Sequence, residues 1–285
     1  MRLSRHSQNF IKDKKLIDYL IKKAGINYSD TVLEIGTGIG VITEGLCKFS
    51  YKVISIEKDK RLFQLARKKL CKYKNLKLIN IDFLDYLLPK FKYKCFSNIP
   101  FNYTSDILQK LLFNKNSPVS SYIFIQKESA ERFLGIGKTT QISLLLSPIY
   151  NSKIIYQLNK NDFYPIPSVD IVLVEFKKKI SPDIKNDTFK LYKDFIIYAF
   201  NQWRKSIKEA FLKIFTYKQL KRLGRELKFN INSKPSDIRY TQWLGLFRFI
   251  ISNKAKVNLN NFSGYQIVHI KRHIYQNKVN KTGLK

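Results

Sequence analysis

The sequence has few of the residues that bind metals or form disulfide bridges. Its 285 residues include three cysteines and three histidines. The cysteines, at positions 47, 71 and 95, are too widely spaced for a zinc cluster or a disulfide framework. No apolar run is long enough to span a membrane, and residues 1–6 lack the hydrophobic segment of a signal peptide. We therefore expect a cytoplasmic monomer with no metal site and no membrane partner.

Acidic residues are also scarce. The chain has 21 Asp and Glu against 53 Lys and Arg, a net charge of +32. Residues 1–176 carry 28 basic and 15 acidic side chains, whereas residues 177–285 carry 25 and 6. A lysine-rich proteome would explain the high lysine usage but not the concentration of charge in the shorter C-terminal part. The imbalance favours a nucleic acid as the partner.

Apolar segments alternate with amphipathic segments over the first 126 residues. This alternation predicts βαβ units and a mainly parallel sheet. After residue 177 only helical patterns occur, at 190–215, 217–227 and 240–251. We therefore predict a Rossmann-like α/β domain over residues 1–177 and a small, basic, helical RNA-binding domain over residues 178–285. The predicted strands are 31–35, 52–56, 76–81, 94–97 and 121–126, and the predicted helices between them are 13–24, 41–49, 60–73 and 105–113.

Polar or glycine-rich features follow four successive predicted strands. The turn 36–40 has glycines at alternate positions, and Glu57, Asp82 and Asn98 follow the next three strands. Because the carboxyl ends of parallel strands meet at one edge of the sheet, we expect these features to form one ligand site.

The residue types at this edge suit an adenosine ligand. The glycines let the backbone approach a ligand closely, and the following helix offers backbone N–H donors. Glu57 can accept hydrogen bonds from both ribose hydroxyls, and Asp82 from the adenine amino group. The alternative interpretation of Glu57 is a surface acid beside Lys58. Glu34, before the turn, either orients the backbone or contacts the ligand, and the sequence does not distinguish these roles.

The tetrapeptide Asn98-Ile99-Pro100-Phe101 resembles the (N/D)-P-P-(Y/F/W) motif of amino-methyltransferases. An adenine N6 is a poor nucleophile, because its lone pair is delocalised into the ring. Two acceptors on the amino hydrogens, the Asn98 side-chain oxygen and the Ile99 carbonyl, would favour a pyramidal nitrogen aimed at the methyl group. Pro100 stiffens the loop and Phe101 can stack on an extruded base. Phe163 is expected to close over that base from the other side.

Taken together, the motifs resemble those of the ribosomal RNA adenine N6-dimethyltransferases, a superfamily that includes housekeeping small-subunit enzymes and the erythromycin-resistance (Erm) enzymes. The resemblance runs from about residue 6 to residue 249. It implies a class I methyltransferase fold, S-adenosylmethionine as cofactor and ribosomal RNA as partner. The motifs, in chain order, are H-S-Q-N-F at 6–10, V-L-E-I-G-T-G-I-G at 32–40, the acid at 57, D-F at 82–83, N-I-P-F at 98–101 and F-Y-P-I-P-S-V at 163–169.

The resemblance also implies a set of cofactor contacts. Gln8, Asn9 and Phe10 would contact the methionine end of the cofactor, and Gly36 and Gly38 would lie against it. Glu57 and Asp82, with the neighbouring Lys58 and Phe83, would hold the ribose and the adenine. Asn98 would join cofactor to target. The set comprises Gln8, Asn9, Phe10, Gly36, Gly38, Glu57, Lys58, Asp82, Phe83 and Asn98.

Details of the motifs favour the Erm branch, which modifies a 23S rRNA adenine near the drug tunnel. Residues 6–11, 98–101 and 240–244 are similar to Erm segments. Residues 201–207 instead resemble a housekeeping segment, with Trp203 replacing an Arg. The alternatives are a housekeeping 16S rRNA dimethyltransferase acting on two adjacent hairpin adenines, and a non-catalytic nucleic-acid-binding relative. DNA adenine methylation is a weaker one.

Overall fold

A computed structural model of the protein describes residues 10–201, 206–253 and 257–265. Gln8, Asn9 and the segment 202–205 lie outside the described residues. No helix in the described part of the chain is long and apolar enough to cross a membrane. The strands are β1 (Phe10–Ile11), β2 (Thr31–Ile35), β3 (Lys52–Glu57), β4 (Leu76–Asn80), β5 (Lys94–Asn98), β6 (Ser120–Gln126), β7 (Tyr150–Gln157), β8 (Phe163–Tyr164) and β9 (Ile171–Lys178). The helices are α1 (Lys14–Lys23), α2 (Val41–Phe49), α3 (Lys60–Lys69), α4 (Thr104–Leu112), α5 (Lys127–Leu134), α6 (Gln141–Leu146), α7 (Asn186–Phe200), α8 (Ile207–Phe211), α9 (Tyr217–Glu226) and α10 (Tyr240–Ser252).

Seven strands form the main sheet in the order β4-β3-β2-β5-β6-β9-β7. The five strands from β4 to β6 are parallel, while β9 is antiparallel to both of its neighbours. A separate two-stranded sheet pairs β1 with β8. The mainly parallel α/β architecture expected from the sequence is confirmed. The antiparallel pair β7 and β9 was not predicted, and neither were α5 and α6.

Helices α1 and α2 cover one face of the sheet. Asp13 caps α1 by accepting hydrogen bonds from two backbone amides of the first turn. The helix buries Ile17, Leu20 and Ile21 fully. These apolar side chains share one hydrophobic core with Phe96 of β5. Burying each of them stabilises the fold by about 1.5–3 kcal/mol, which anchors this end of the sheet.

Contacts within the chain divide it into two compact units. The first comprises the described residues of Met1–Ala130 and Tyr150–Lys179, and the second those of Glu131–Ile149 and Ile180–Lys285. The sequence-based boundary at residue 177 differs from this division, because it placed 131–149 in the first domain. Helix α6 belongs to the helical unit, since the Tyr192 hydroxyl of α7 donates to its Leu144 carbonyl at 2.9 Å.

The helical unit is built around stacked aromatic rings. Phe195 of α7 stacks on Phe211 of α8 with ring centroids 5.2 Å apart, and Trp243 of α10 meets both rings edge-on. All three side chains are buried. One helix was expected over 190–215; in the described residues α7 ends at Phe200 and α8 starts at Ile207 with Ser206 as its N-cap.

Candidate active site

The candidate site lies where the strand order of the sheet reverses, between β2 and β5. Backbone pairing of these strands stops at Leu33 and Cys95. Two residues further along β2, the Ile35 amide donates instead to the Ser97 hydroxyl at 2.8 Å, and this hydrogen bond is fully buried. The two strands therefore separate at their carboxyl ends, which is where ligands bind in sheets of this type.

The turn after β2 depends on its three glycines. Gly36, Gly38 and Gly40 have φ angles of +83°, +55° and +79°, a region that other residues rarely adopt. A carbon added to Gly36 would lie 3.7 Å from the Asn98 carbonyl oxygen. At Gly38 it would lie 2.7 Å from the Phe10 ring. The structure thus brings the glycine turn, Asn98 and Phe10 together, three features that lie far apart in the sequence.

Glu57, the last residue of β3, holds the glycine turn. One carboxylate oxygen accepts from the Gly38 amide at 2.8 Å, and the other accepts from the Asp59 amide at 2.8 Å. Burial raises the pKa of this carboxyl, and the two amide hydrogen bonds oppose that effect. Each oxygen keeps a second lone pair, so Glu57 can still accept from ribose hydroxyls.

A buried network of hydrogen-bonded side chains, which the sequence did not reveal, lies beneath the glycine turn. Glu34 is fully buried, and one of its oxygens accepts from the Thr43 hydroxyl at 2.7 Å and from the Ser55 hydroxyl at 2.6 Å. Ser55 also bonds Thr37 in the turn at 2.6 Å. Glu34 therefore connects β2, β3, α2 and the turn, which supports the interpretation that it orients the backbone. Burial raises its pKa to about 8.

Asp82, which follows β4, is bound by Lys58. The Lys58 ammonium group donates to one Asp82 oxygen at 2.5 Å, and the Leu84 amide donates to the other at 2.9 Å. Partial burial acts to raise the pKa of Asp82, but the hydrogen bonds from Lys58 and Leu84 outweigh it and lower the pKa. The Lys58 ammonium also lies 5.9 Å from the centre of the Tyr103 ring. Phe83 beside Asp82 is buried.

The tetrapeptide begins at the last residue of β5. Asn98 is partly exposed, Ile99 is buried, and Pro100 has an extended backbone. Phe101 begins a short 3-10 turn that ends at Tyr103, and its ring is partly buried against the core. The Thr104 hydroxyl donates to the Phe101 carbonyl at 3.0 Å. This bond links the start of α4 to the last residue of the motif.

Phe163 is placed differently from the sequence-based expectation. Its backbone pairs with Ile11, and its ring is fully buried in the hydrophobic core. The neighbouring Tyr164 is exposed. The ring of Phe163 therefore offers no exposed face in this structure, and its stacking role stays a prediction.

The fold and the site together define a Rossmann-like methyltransferase domain. It has a mainly parallel sheet with a glycine turn, carboxylates at successive strand ends and an N-I-P-F loop. The chain belongs to the ribosomal RNA adenine dimethylase family, whose model matches residues 3–252. An rRNA adenine N-6-methyltransferase of Bacteroides fragilis is 31% identical over 243 residues, 84% of this chain and 90% of that protein.

Two solved structures share the fold. The 23S rRNA methyltransferase ErmE superimposes with a TM-score of 0.78 at 24% identity, over 84% of this chain and 98% of that one. A dimethyladenosine transferase from Plasmodium falciparum gives 0.69 at 24% identity, over 87% and 99%. The family relationship makes this protein an rRNA adenine N6-methyltransferase.

S-adenosylmethionine is the methyl donor of this family, and the residues present fit it. Gly36 is half-buried, and a carbon added to it would meet only the Asn98 carbonyl oxygen, at 3.7 Å. The Glu57 and Asp82 carboxylates supply acceptors of the kind that ribose hydroxyls and an adenine amino group require. When bound, the cofactor supplies a methyl group on a sulfonium, a good leaving group.

Proposed function

We propose that Asn98 and Ile99 position the target adenine for methyl transfer. The Asn98 side-chain oxygen and the Ile99 carbonyl accept the two N6 hydrogens, which aims the nitrogen lone pair at the methyl group. Pro100 holds the loop extended, and the Phe101 ring stacks on the base. The observation that supports this proposal is the 3.7 Å separation between the Asn98 carbonyl oxygen and a carbon built on Gly36, because the N-I-P-F loop and the glycine turn then lie next to each other.

The cofactor contacts expected from the family resemblance are part of the same proposal. Phe10 and the turn glycines would contact the methionine end, Glu57 the ribose, and Asp82 with Phe83 the adenine. Lys58 would cover the adenine edge, since it already reaches Asp82. Gln8 and Asn9 would contact the methionine end as well, and this assignment comes from the family resemblance alone.

The proposed target is an adenine of 23S rRNA, and its methylation would confer resistance to macrolides, lincosamides and streptogramin B. The N-I-P-F form of the motif and the Y-T-Q-W-L segment at 240–244 support this branch. The fold of the 23S enzyme ErmE, at a TM-score of 0.78, is in keeping with it. The housekeeping alternative, a 16S rRNA target, rests on residues 201–207. An rRNA enzyme works where ribosomes are assembled, so the cytoplasm stays the expected location.

Primer extension across both large rRNAs from cells that express the protein tests the target. We expect a stop or pause at one 23S adenine and a rise in macrolide resistance of the same cells. A modified 16S hairpin with unchanged resistance would establish the housekeeping alternative instead.

An Asn98→Ala variant tests the site. We expect kcat to fall by about 100- to 1000-fold, the range measured when one preorganised hydrogen-bonding group is removed from an active site. Dissociation constants for RNA should stay within about threefold. Asn151→Ala, which truncates an exposed amide on β7, is the matched control and should keep full activity. Full activity of Asn98→Ala would contradict the site assignment.

A further inference from the structure

Helix α9 of the second unit has two sharply different faces. Leu220, Leu223 and Gly224 are buried. The opposite face consists of exposed residues, mostly basic, at helical spacings of three and four. The exposed residues are Tyr217, Lys218, Lys221, Arg222, Arg225 and Glu226, and we call the first five the α9 face.

The helix is fixed firmly enough to present this face in one orientation. Thr216 and Gln219 form a reciprocal capping box at its start. A carbon added to Gly224 would lie 2.9 Å from an Ile231 methyl group, so the helix packs closely against the following segment. The Phe229 amide then donates to the Gly224 carbonyl at 2.8 Å, which closes its C-terminal end.

The charges of the α9 face are largely uncompensated. Glu226 is the one acid on the helix, and it pairs with Arg222 at 3.3 Å, both side chains being about half exposed. In the described part of the chain, Lys218, Lys221 and Arg225 form no salt bridge. Neighbouring cations at these spacings have Cβ atoms about 5–6 Å apart. From Lys218 to Arg225 the row extends about 10 Å along the axis.

An exposed aromatic ring marks one end of the row. Tyr217 is about half exposed, and the Lys208 ammonium lies 5.3 Å from the centre of its ring. A tyrosine surrounded by cations can stack on an unpaired base next to a phosphate backbone. An acidic protein partner would not need this ring, so the combination favours RNA.

We propose that the α9 face binds the phosphate backbone of the ribosomal RNA substrate, with Tyr217 stacked on an unpaired base beside the contacted stem. This assignment rests on the proposed function for the identity of the RNA. Phosphate contacts position a substrate without reading its sequence, so the face sets affinity, while the adenine is selected at the catalytic loop.

The test compares two triple variants with equal loss of charge. Lys218→Ala, Lys221→Ala and Arg225→Ala together remove three cations of the α9 face, and alanine preserves the helix. The control removes an exposed arginine and two exposed lysines of the first unit, through Arg67→Ala, Lys68→Ala and Lys74→Ala. RNA binding and methyl transfer are measured separately on deproteinised 23S and 16S rRNA. The salt concentration is varied between about 50 and 200 mM, a range over which the affinity of phosphate contacts changes strongly.

For the α9 triple variant we expect the slope of log K against log salt to fall by about two to three. Wild type should then lose about 15- to 60-fold more affinity over that salt range than the variant. The dissociation constant for S-adenosylmethionine and kcat at saturating RNA should not change. The control variant should keep the wild-type slope within about one unit. An equal fall in both variants, or none in the α9 variant, would overturn the assignment.

A variant that raises charge guards against a folding artefact. Glu226→Gln removes the only acid on α9 and costs little stability, because exposed pairs of this spacing contribute about 0.3–0.5 kcal/mol. It should bind RNA more tightly than wild type, and unchanged affinity would count against the proposal. The α9 variant is also tested for binding to phosphatidylglycerol vesicles. If it loses vesicle binding but binds RNA as well as wild type does, the face belongs to a membrane surface instead. A 16S instead of a 23S target would alter the proposed function but leave the salt slopes as the test of α9.

Discussion

Replacing Glu34 by glutamine should remove the contribution of this residue to the pH dependence of folding stability. Glu34 has a pKa of about 8 in the folded protein against 4.5 for an ordinary glutamate. Between these values the folded state holds a proton that the unfolded chain has released. Stability therefore falls as pH rises, by about 1.4 kcal/mol per unit, and levels off above about pH 8. The full loss is about 5 kcal/mol, and Glu34→Gln cannot undergo it.

The glutamine is a close match in shape, and its amide oxygen can still accept from Thr43 and Ser55. Comparing wild type with the variant isolates the slope that is due to Glu34. Burial raises the pKa of the Cys47 and Cys95 thiols to about 12, so both remain neutral. Glu57 also has a raised pKa, but wild type and variant share it.

Urea unfolding of both proteins at pH 5.5 and pH 7.5, a span of about two units, measures the difference. The stability of wild type relative to Glu34→Gln should fall by about 3 kcal/mol over that span. Equal pH slopes for the two proteins would refute the neutral, buried state of Glu34.

Two further predictions concern the cofactor site. Gly38→Ala should weaken S-adenosylmethionine binding, because the new carbon would meet the Phe10 ring at 2.7 Å. Gly25→Ala is the control, since Gly25 also has a positive φ but a carbon added there meets open space. It should cost only about 1 kcal/mol of stability and leave the cofactor affinity unchanged. Calorimetric titration of both checks this, and equal affinities would contradict it. Asp82→Asn should weaken the cofactor about tenfold, since a charged acceptor is lost. Its stability should change by less than about 1 kcal/mol, because its partner Lys58 is largely exposed; an unchanged cofactor dissociation constant would remove Asp82 from the site.

The sequence predicted the strand ends well, for a physical reason. Buried parallel strands are mostly apolar runs, and glycines or polar side chains interrupt them where they end. Gly36, Glu57 and Asn98 therefore stood out, and the structure places all three at the carboxyl edge of the sheet.

The remaining parts depend on contacts between distant residues, which a single sequence does not display. Ser55 and Ser97 lie inside strand patterns, and their role emerges only when Glu34 and the Ile35 amide are seen to bond them. Strands β7 and β9 flank a proline-rich segment, so their pairing was obscured. Phe163 was assigned to the base because of its motif, whereas β8 pairs with β1 and turns its ring into the core.

One measurement tests the central claim most directly. Purified enzyme is incubated with S-adenosylmethionine labelled on the methyl group and, in separate reactions, with unmethylated 23S and 16S rRNA, and the RNA is digested to nucleosides. The account predicts label in N6-methylated adenosine from 23S rRNA alone. Label on any other nucleoside would contradict the chemistry assigned to the Asn98 loop, and label in 16S rRNA alone would contradict the proposed target.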